Sequence, residues 1–168
     1  MPIGDATNRK RAAGLSYGIT ALVSLILGAI YLLKDSFMPY HAAALSRSWS
    51  EVEVATQVVL SALMTVAGGG WFTVGIVILL LLAFPFRNDR PWAIYALPAI
   101  ILLFYLPNLS ATLSVLQNTP GTPPYQGNVV ACLSAVVGFA LYPKPVVRAT
   151  GELLSDPRNV SRFSSTFS

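Results

Sequence analysis

Residues Val54–Phe86 read VATQVVLSALMTVAGGGWFTVGIVILLLLAFPF, thirty-three positions without a charge, closed by Arg87-Asn88-Asp89-Arg90. A helix needs about 20 apolar residues to cross a hydrocarbon core. This stretch is therefore long enough for one crossing with some to spare. Two more charge-free stretches flank it, Ala12–Leu33 and Pro91–Pro143. The first fits one crossing. The last is too long for one and is broken by the Pro- and Gly-rich segment Asn118–Asn128, so it reads as two.

The fold expected is all-α, a bundle of four transmembrane helices at about 12–33, 50–84, 92–116 and 128–142, forming one membrane domain over 1–143. A polar, Ser-rich tail follows over 144–168, and beyond Leu154 its composition predicts disorder. The basic N-terminus before an apolar run resembles a signal peptide, but that run is longer than the usual signal core of about 7–15 residues. The expectation is a retained first helix.

The charged residues sit in the joints, and their distribution sets an orientation. Lys and Arg concentrate on the cytoplasmic side. With the N-terminus inside, Arg9, Lys10, Arg11, Arg87, Arg90, Lys144, Arg148, Arg158 and Arg162 are inside, and only Lys34 and Arg47 are outside. Four acidic residues share the inner side and three the outer, giving +5 against −1. Both termini are then cytoplasmic, and the setting expected is a bacterial inner membrane. The overall charge of +4 is spread along the spans' flanks rather than gathered in one patch, so nucleic acid is not an expected partner.

Several chemistries lack their residues. The single Cys132 cannot form an internal disulfide, and one His, one Cys and no carboxylate within a span leave no metal-ligand set. No cofactor is expected. A proton-coupled exchanger needs an ionisable group inside the membrane, and the spans hold none. No nucleophile elbow, zinc-protease or phosphate-loop motif occurs.

What remains are small-residue faces and polar defects. In the first span, Gly14 with Gly18 and Ser24 with Gly28 have the spacing that lets another helix approach. In the second, Ser61, Thr65, Gly69 and Thr73 recur every four residues, read as a tight helix contact or as a ligand groove. Ser48 with Glu51, or Ser50 with Glu53, makes a capping box for the second helix. In the outer loop, His41–Leu45 fits a short surface helix, with Tyr40 and Trp49 suited to the interface. The third span carries Pro98 and Pro107. Asn108 and Thr112 lie beside Pro107 on one face, either bonding to backbone or lining a polar pocket.

The layout resembles the small bacterial four-helix membrane proteins that include the DoxX-like families. The resemblance is carried by the first helix, Phe37-Met-Pro-Tyr-His41 in the outer loop and Ala67-Gly-Gly-Gly-Trp-Phe-Thr-Val-Gly75 in the second helix. Where those families often carry a basic residue shortly before the glycines, this chain has Met64 and Thr65. The resemblance implies a compact bundle that acts as an accessory subunit or binds something apolar.

Three functions follow as expectations. The first is a non-enzymatic accessory or scaffold component, partnered by the bilayer and by itself or a membrane complex. The second is a binder or carrier of an apolar or lipid-like molecule in an outer-facing cleft between the second and third helices, lined by Thr65, Gly69, Trp71, Tyr105 and Asn108, with Tyr40 and His41 as a lid. The third is an isomerase or transferase using His41 with Glu51 or Glu53.

Overall fold

A computed structural model describes residues 3–143. The tail expected over 144–168 lies outside the described residues. Helix α1 spans Ile3–Leu33, α2 Pro39–Leu45, α3 Val54–Leu81, α4 Ala93–Asn118 and α5 Tyr125–Leu141. A 3-10 turn, Trp49–Glu51, precedes α3, and a π turn, Leu82–Phe86, continues it. No strand occurs among the described residues. Three helices are long and apolar enough to cross a membrane: α1, α3 with its π turn, and α4. The fourth, α5, has 17 residues and sits at the short limit for a crossing.

The helix ends depart from expectation in instructive ways. Nothing between Gly4 and Arg11 breaks a helix, so α1 starts well before Ala12 and carries the basic cluster as helix. The box at Ser48 does form, with the Ser48 N–H donating to Glu51 Oε2 at 2.7 Å. It caps the 3-10 turn rather than α3, because Val52 is extended and buried. Gln57 Nε2 then donates to Trp49 O at 2.7 Å and to Val52 O at 3.0 Å, clipping that turn onto α3. The short loop helix begins at Pro39, where a ring that needs no N–H partner fits the first helical position.

Helix α1 is central, packing along α3 and α5, while α4 packs mainly on α5. Between α1 and α3 the backbones approach closely. A Cβ on Gly28 would stand 2.6 Å from Phe72 N, and one on Gly75 would stand 2.8 Å from Leu25 Cγ. Gly68 meets Tyr31 in the same way, at 2.9 Å. The α3 face turned inward is Met64, Gly68, Trp71, Gly75 and Ile78. Its alternating four-three spacing is that of a coiled-coil seam.

This overturns the reading of Ser61, Thr65, Gly69 and Thr73 as a contact within the bundle. Ser61, Thr65 and Thr73 are exposed, and no atom lies within 4 Å of a Cβ built on Gly69. The Thr65 hydroxyl is satisfied by its own helix, donating to Ser61 O at 3.0 Å. Gly69→Leu is accordingly expected to leave stability unchanged or to raise it by up to about 1 kcal/mol through helix propensity. Denaturation in mixed micelles checks this, and a marked loss would mean that another chain packs on the stripe. Gly18 likewise has open space, whereas Gly14 abuts Phe86.

Uncharged hydrogen bonds cross the core. Ser24 Oγ donates to Thr20 O at 2.8 Å, so the Tyr105 hydroxyl, 2.7 Å away, donates its own proton to Ser24 Oγ. Thr20 Oγ1 and Ser134 Oγ are 2.6 Å apart, and Ser16 Oγ donates to Ser134 O at 3.2 Å. These bonds tie α1 to α4 and α5 while leaving no bare polar group in apolar surroundings.

The two ends of the bundle are fastened differently. At one, Lys10 Nζ pairs with Asp89 Oδ1 at 2.6 Å, and Tyr142 donates to the same oxygen at 3.0 Å. The Lys10 hydrogen bond chiefly holds the Asp89 carboxyl below its usual range. At the other, the loop after α4 lies on α2, where a Cβ on Gly121 would stand 2.7 Å from Tyr40 O.

Candidate functional site

At the α2 end the helices enclose a cavity of about 310 Å³. Small-molecule sites begin near that size. It lies between α3 and α4, which touch each other far less than α1 touches α3. Trp71 is at its inner end, edge-on to Phe104 and Tyr105 with ring centroids 5.1 and 5.0 Å away. This aromatic wedge props the two helices apart beyond it.

The α3 wall is apolar: Leu60, Leu63, Met64 and Ala67. The wall from α4 and α5 is mixed, with Asn108, Thr112 and Asn128 set among Ala111, Val115 and Gly127. Tyr31 of α1 and Tyr40 and His41 of α2 complete it at the outer end, together with Pro123 and Pro124. Leu63 of α3 and Ala111 of α4 both line the cavity and are both exposed, so the cavity opens sideways between these helices.

The hydrogen bonds fix what the lining offers. Asn108 Nδ2 donates to Phe104 O at 2.8 Å, so the other end of that amide is the oxygen. Thr112 Oγ1 donates to backbone carbonyls of Asn108 and Leu109, so it accepts from Asn128 Nδ2 at 3.2 Å. Both asparagines are left with an amide oxygen as acceptor and one further N–H as donor. On the opposite side, His41 Nδ1 accepts from the Met38 N–H at 3.3 Å, so in the neutral ring Nε2 carries the proton. Tyr31 and Tyr40 share one hydrogen bond between their hydroxyls, which leaves one O–H over. An uncharged head can thus donate to the asparagine side and accept from the His41 side, with no formal charge on any lining residue while His41 is neutral.

Burial lowers the His41 pKa from its ordinary 6.5. Tyr40 lies against it at 4.1 Å with the rings inclined by 62°, and Phe37 is edge-on at 6.4 Å, and neither ring carries charge. The undocked state then takes up a proton more readily than the docked one. Docking of α2 is at full strength above about pH 6.5 and weakens as pH falls toward the lowered value. The thermal midpoint is expected to drop between about pH 7.5 and 5, and to become flat with pH in His41→Gln. An unchanged slope in that variant would assign the effect elsewhere.

Of the seven residues singled out from sequence, Tyr40, His41, Trp71 and Asn108 line the cavity together. Thr65 and Gly69 do not, being on the outward side of α3. Tyr105 is fully buried beneath Trp71 and is spent on Ser24. The acid/base pair of His41 with a glutamate is not assembled: Glu51 is taken by the Ser48 N–H, and neither Glu51 nor Glu53 lines the cavity. Sequence reasoning passed over Asn128, which is buried at the start of α5, and Tyr31, which lies in the last turn of α1. A lone amide just after a Pro-Gly loop was the available signal for the first.

Compared with protein-family models, with curated proteins and with solved structures, the chain shows no match.

Proposed function

We propose that the protein binds an uncharged amphiphile, a lipid-like molecule with a small neutral head, within a membrane. The observation that carries this reading is the cavity's division of labour. An apolar wall on α3 faces amide and hydroxyl groups set among small and apolar residues on α4 and α5, and exposed Leu63 and Ala111 leave it open between α3 and α4. An apolar chain lies against Leu60, Leu63 and Ala67 through that gap. Its head accepts from His41 Nε2–H and donates to the oxygens of Asn108 and Asn128.

This reading includes an orientation. The α2 end faces outward and the Lys10–Asp89 end faces the cytoplasm of a bacterial cell, supported by the bias of basic residues toward the latter. The test is native mass spectrometry of the full chain extracted gently from its own membrane, then supplied with a monoacylglycerol as probe. A discrete retained small-molecule mass is the expected result. A bare chain that also fails to retain the monoacylglycerol sinks the proposal.

A second reading, an accessory or scaffold role, is favoured by the outward stripe Ser61, Thr65, Gly69 and Thr73. Such small-residue surfaces suit close helix association in membranes. A co-purifying protein or a second copy at fixed stoichiometry, lost in Gly69→Leu, would support it.

A further inference from the structure

We propose that the end of the bundle opposite the cavity carries a second site, which binds the phosphate of an anionic phospholipid. Thr7, Lys10, Arg11 and Gly14 lie on one face of α1, spaced by three, one and three residues, and they border a groove of about 430 Å³ with Leu82 and Phe86 of the π turn and Arg87 just after it. The groove exists because Gly14 has no side chain: a Cβ there would already sit 3.3 Å from the Phe86 ring.

The charges around it have different tasks. Lys10 is committed to the fold, with Nζ on Asp89 Oδ1 at 2.6 Å, on Arg87 O at 3.1 Å and above the Phe86 ring at 5.8 Å. Arg11 and Arg87 are exposed, and neither forms an ion pair among the described residues. Two guanidiniums therefore flank one groove, and a guanidinium matches phosphate oxygens with paired N–H donors.

The source of that phosphate is a lipid rather than a soluble anion. The groove floor is apolar, and the exposed side chain of Leu15, four residues after Arg11 on the same face of α1, continues it along the helix. A phosphodiester head at Arg11 and Arg87 sends its acyl chains down that surface, as expected for basic residues at the end of membrane-length helices.

The experiment uses the full chain in neutral detergent, with phosphatidylglycerol, phosphatidylcholine or inorganic phosphate added, and native mass spectrometry to count retained molecules. Phosphatidylglycerol is expected to be retained over phosphatidylcholine, and Arg11→Gln and Arg87→Gln each to weaken its retention about fivefold. Arg47→Gln, at the other end, should leave it unchanged. The two tested arginines lie on different elements and are exposed, so each variant checks the other, and unfolding titrations verify both. Undiminished retention in both variants would overturn the proposal. Displacement of phosphatidylglycerol by inorganic phosphate would overturn it as well, by showing a soluble-anion site.

Discussion

Gly28→Ala is expected to lower the unfolding free energy by about 2–3 kcal/mol, the upper range for forcing one methyl group into a packed contact. The added carbon meets Phe72 backbone atoms at 2.6 and 2.9 Å, and a backbone cannot rotate aside as a side chain can. Relief requires α1 and α3 to separate along their length, and their contact is the most extensive in the bundle. Helices in lipid gain no hydrophobic drive from touching, so close packing carries much of their association. Ala's better helix propensity offsets about 1 kcal/mol and is included in that net figure. Gly18→Ala is the matched control, since nothing lies within 4 Å of its Cβ. Equal unfolding midpoints for the two variants would refute the α1–α3 contact described above.

The second large effect falls on binding. Ala67→Phe places a ring on the apolar wall of a cavity of about 310 Å³. The ring enters existing space, so stability should stay within about 1 kcal/mol of the parent. The co-extracted or added amphiphile should be lost, because the volume its chain requires is taken. Native mass spectra of parent and variant, prepared side by side, give the result directly. A variant that keeps the ligand at parental occupancy would place binding outside this cavity.

Much of the architecture was legible because span length and hydropathy are local properties. Three long runs without charge need no tertiary information to be recognised, and α5 was bracketed by its Pro-Gly loop. The rotation of α3 was not legible in the same way. A strict repeat of four, as in Ser61, Thr65, Gly69 and Thr73, drifts around a helix of about 3.6 residues per turn. The seam through Met64, Gly68, Trp71, Gly75 and Ile78 alternates four and three and stays on one side. Large and small residues mix along it, so it does not stand out as a class of residue.

The site shows the same division. Trp71 and Asn108 were found from a glycine run and a proline defect, and Tyr40 and His41 from a loop with an interfacial ring. Tyr105 was misplaced because its partner, Ser24, lies 81 positions away in the chain. Glu51 was read correctly as a capping residue, but of the wrong element. The extended Val52 that separates turn from helix is held by burial with Phe37 and Met64, a contact between distant segments.

The hydroxyl ladder of Ser16, Thr20, Ser24, Tyr105 and Ser134 has an electrical consequence. A transmembrane voltage does work only on charge that moves through it, about 2.3 kcal/mol per elementary charge per 100 mV. The stretches Ala12–Leu33, Val54–Phe86 and Pro91–Pro143 contain no Asp, Glu, Lys or Arg. With its interior polarity supplied by neutral dipoles, the bundle gives the field no handle. Under the proposed function, occupancy of the cavity by a neutral molecule is expected to be the same in an energised membrane and a depolarised one.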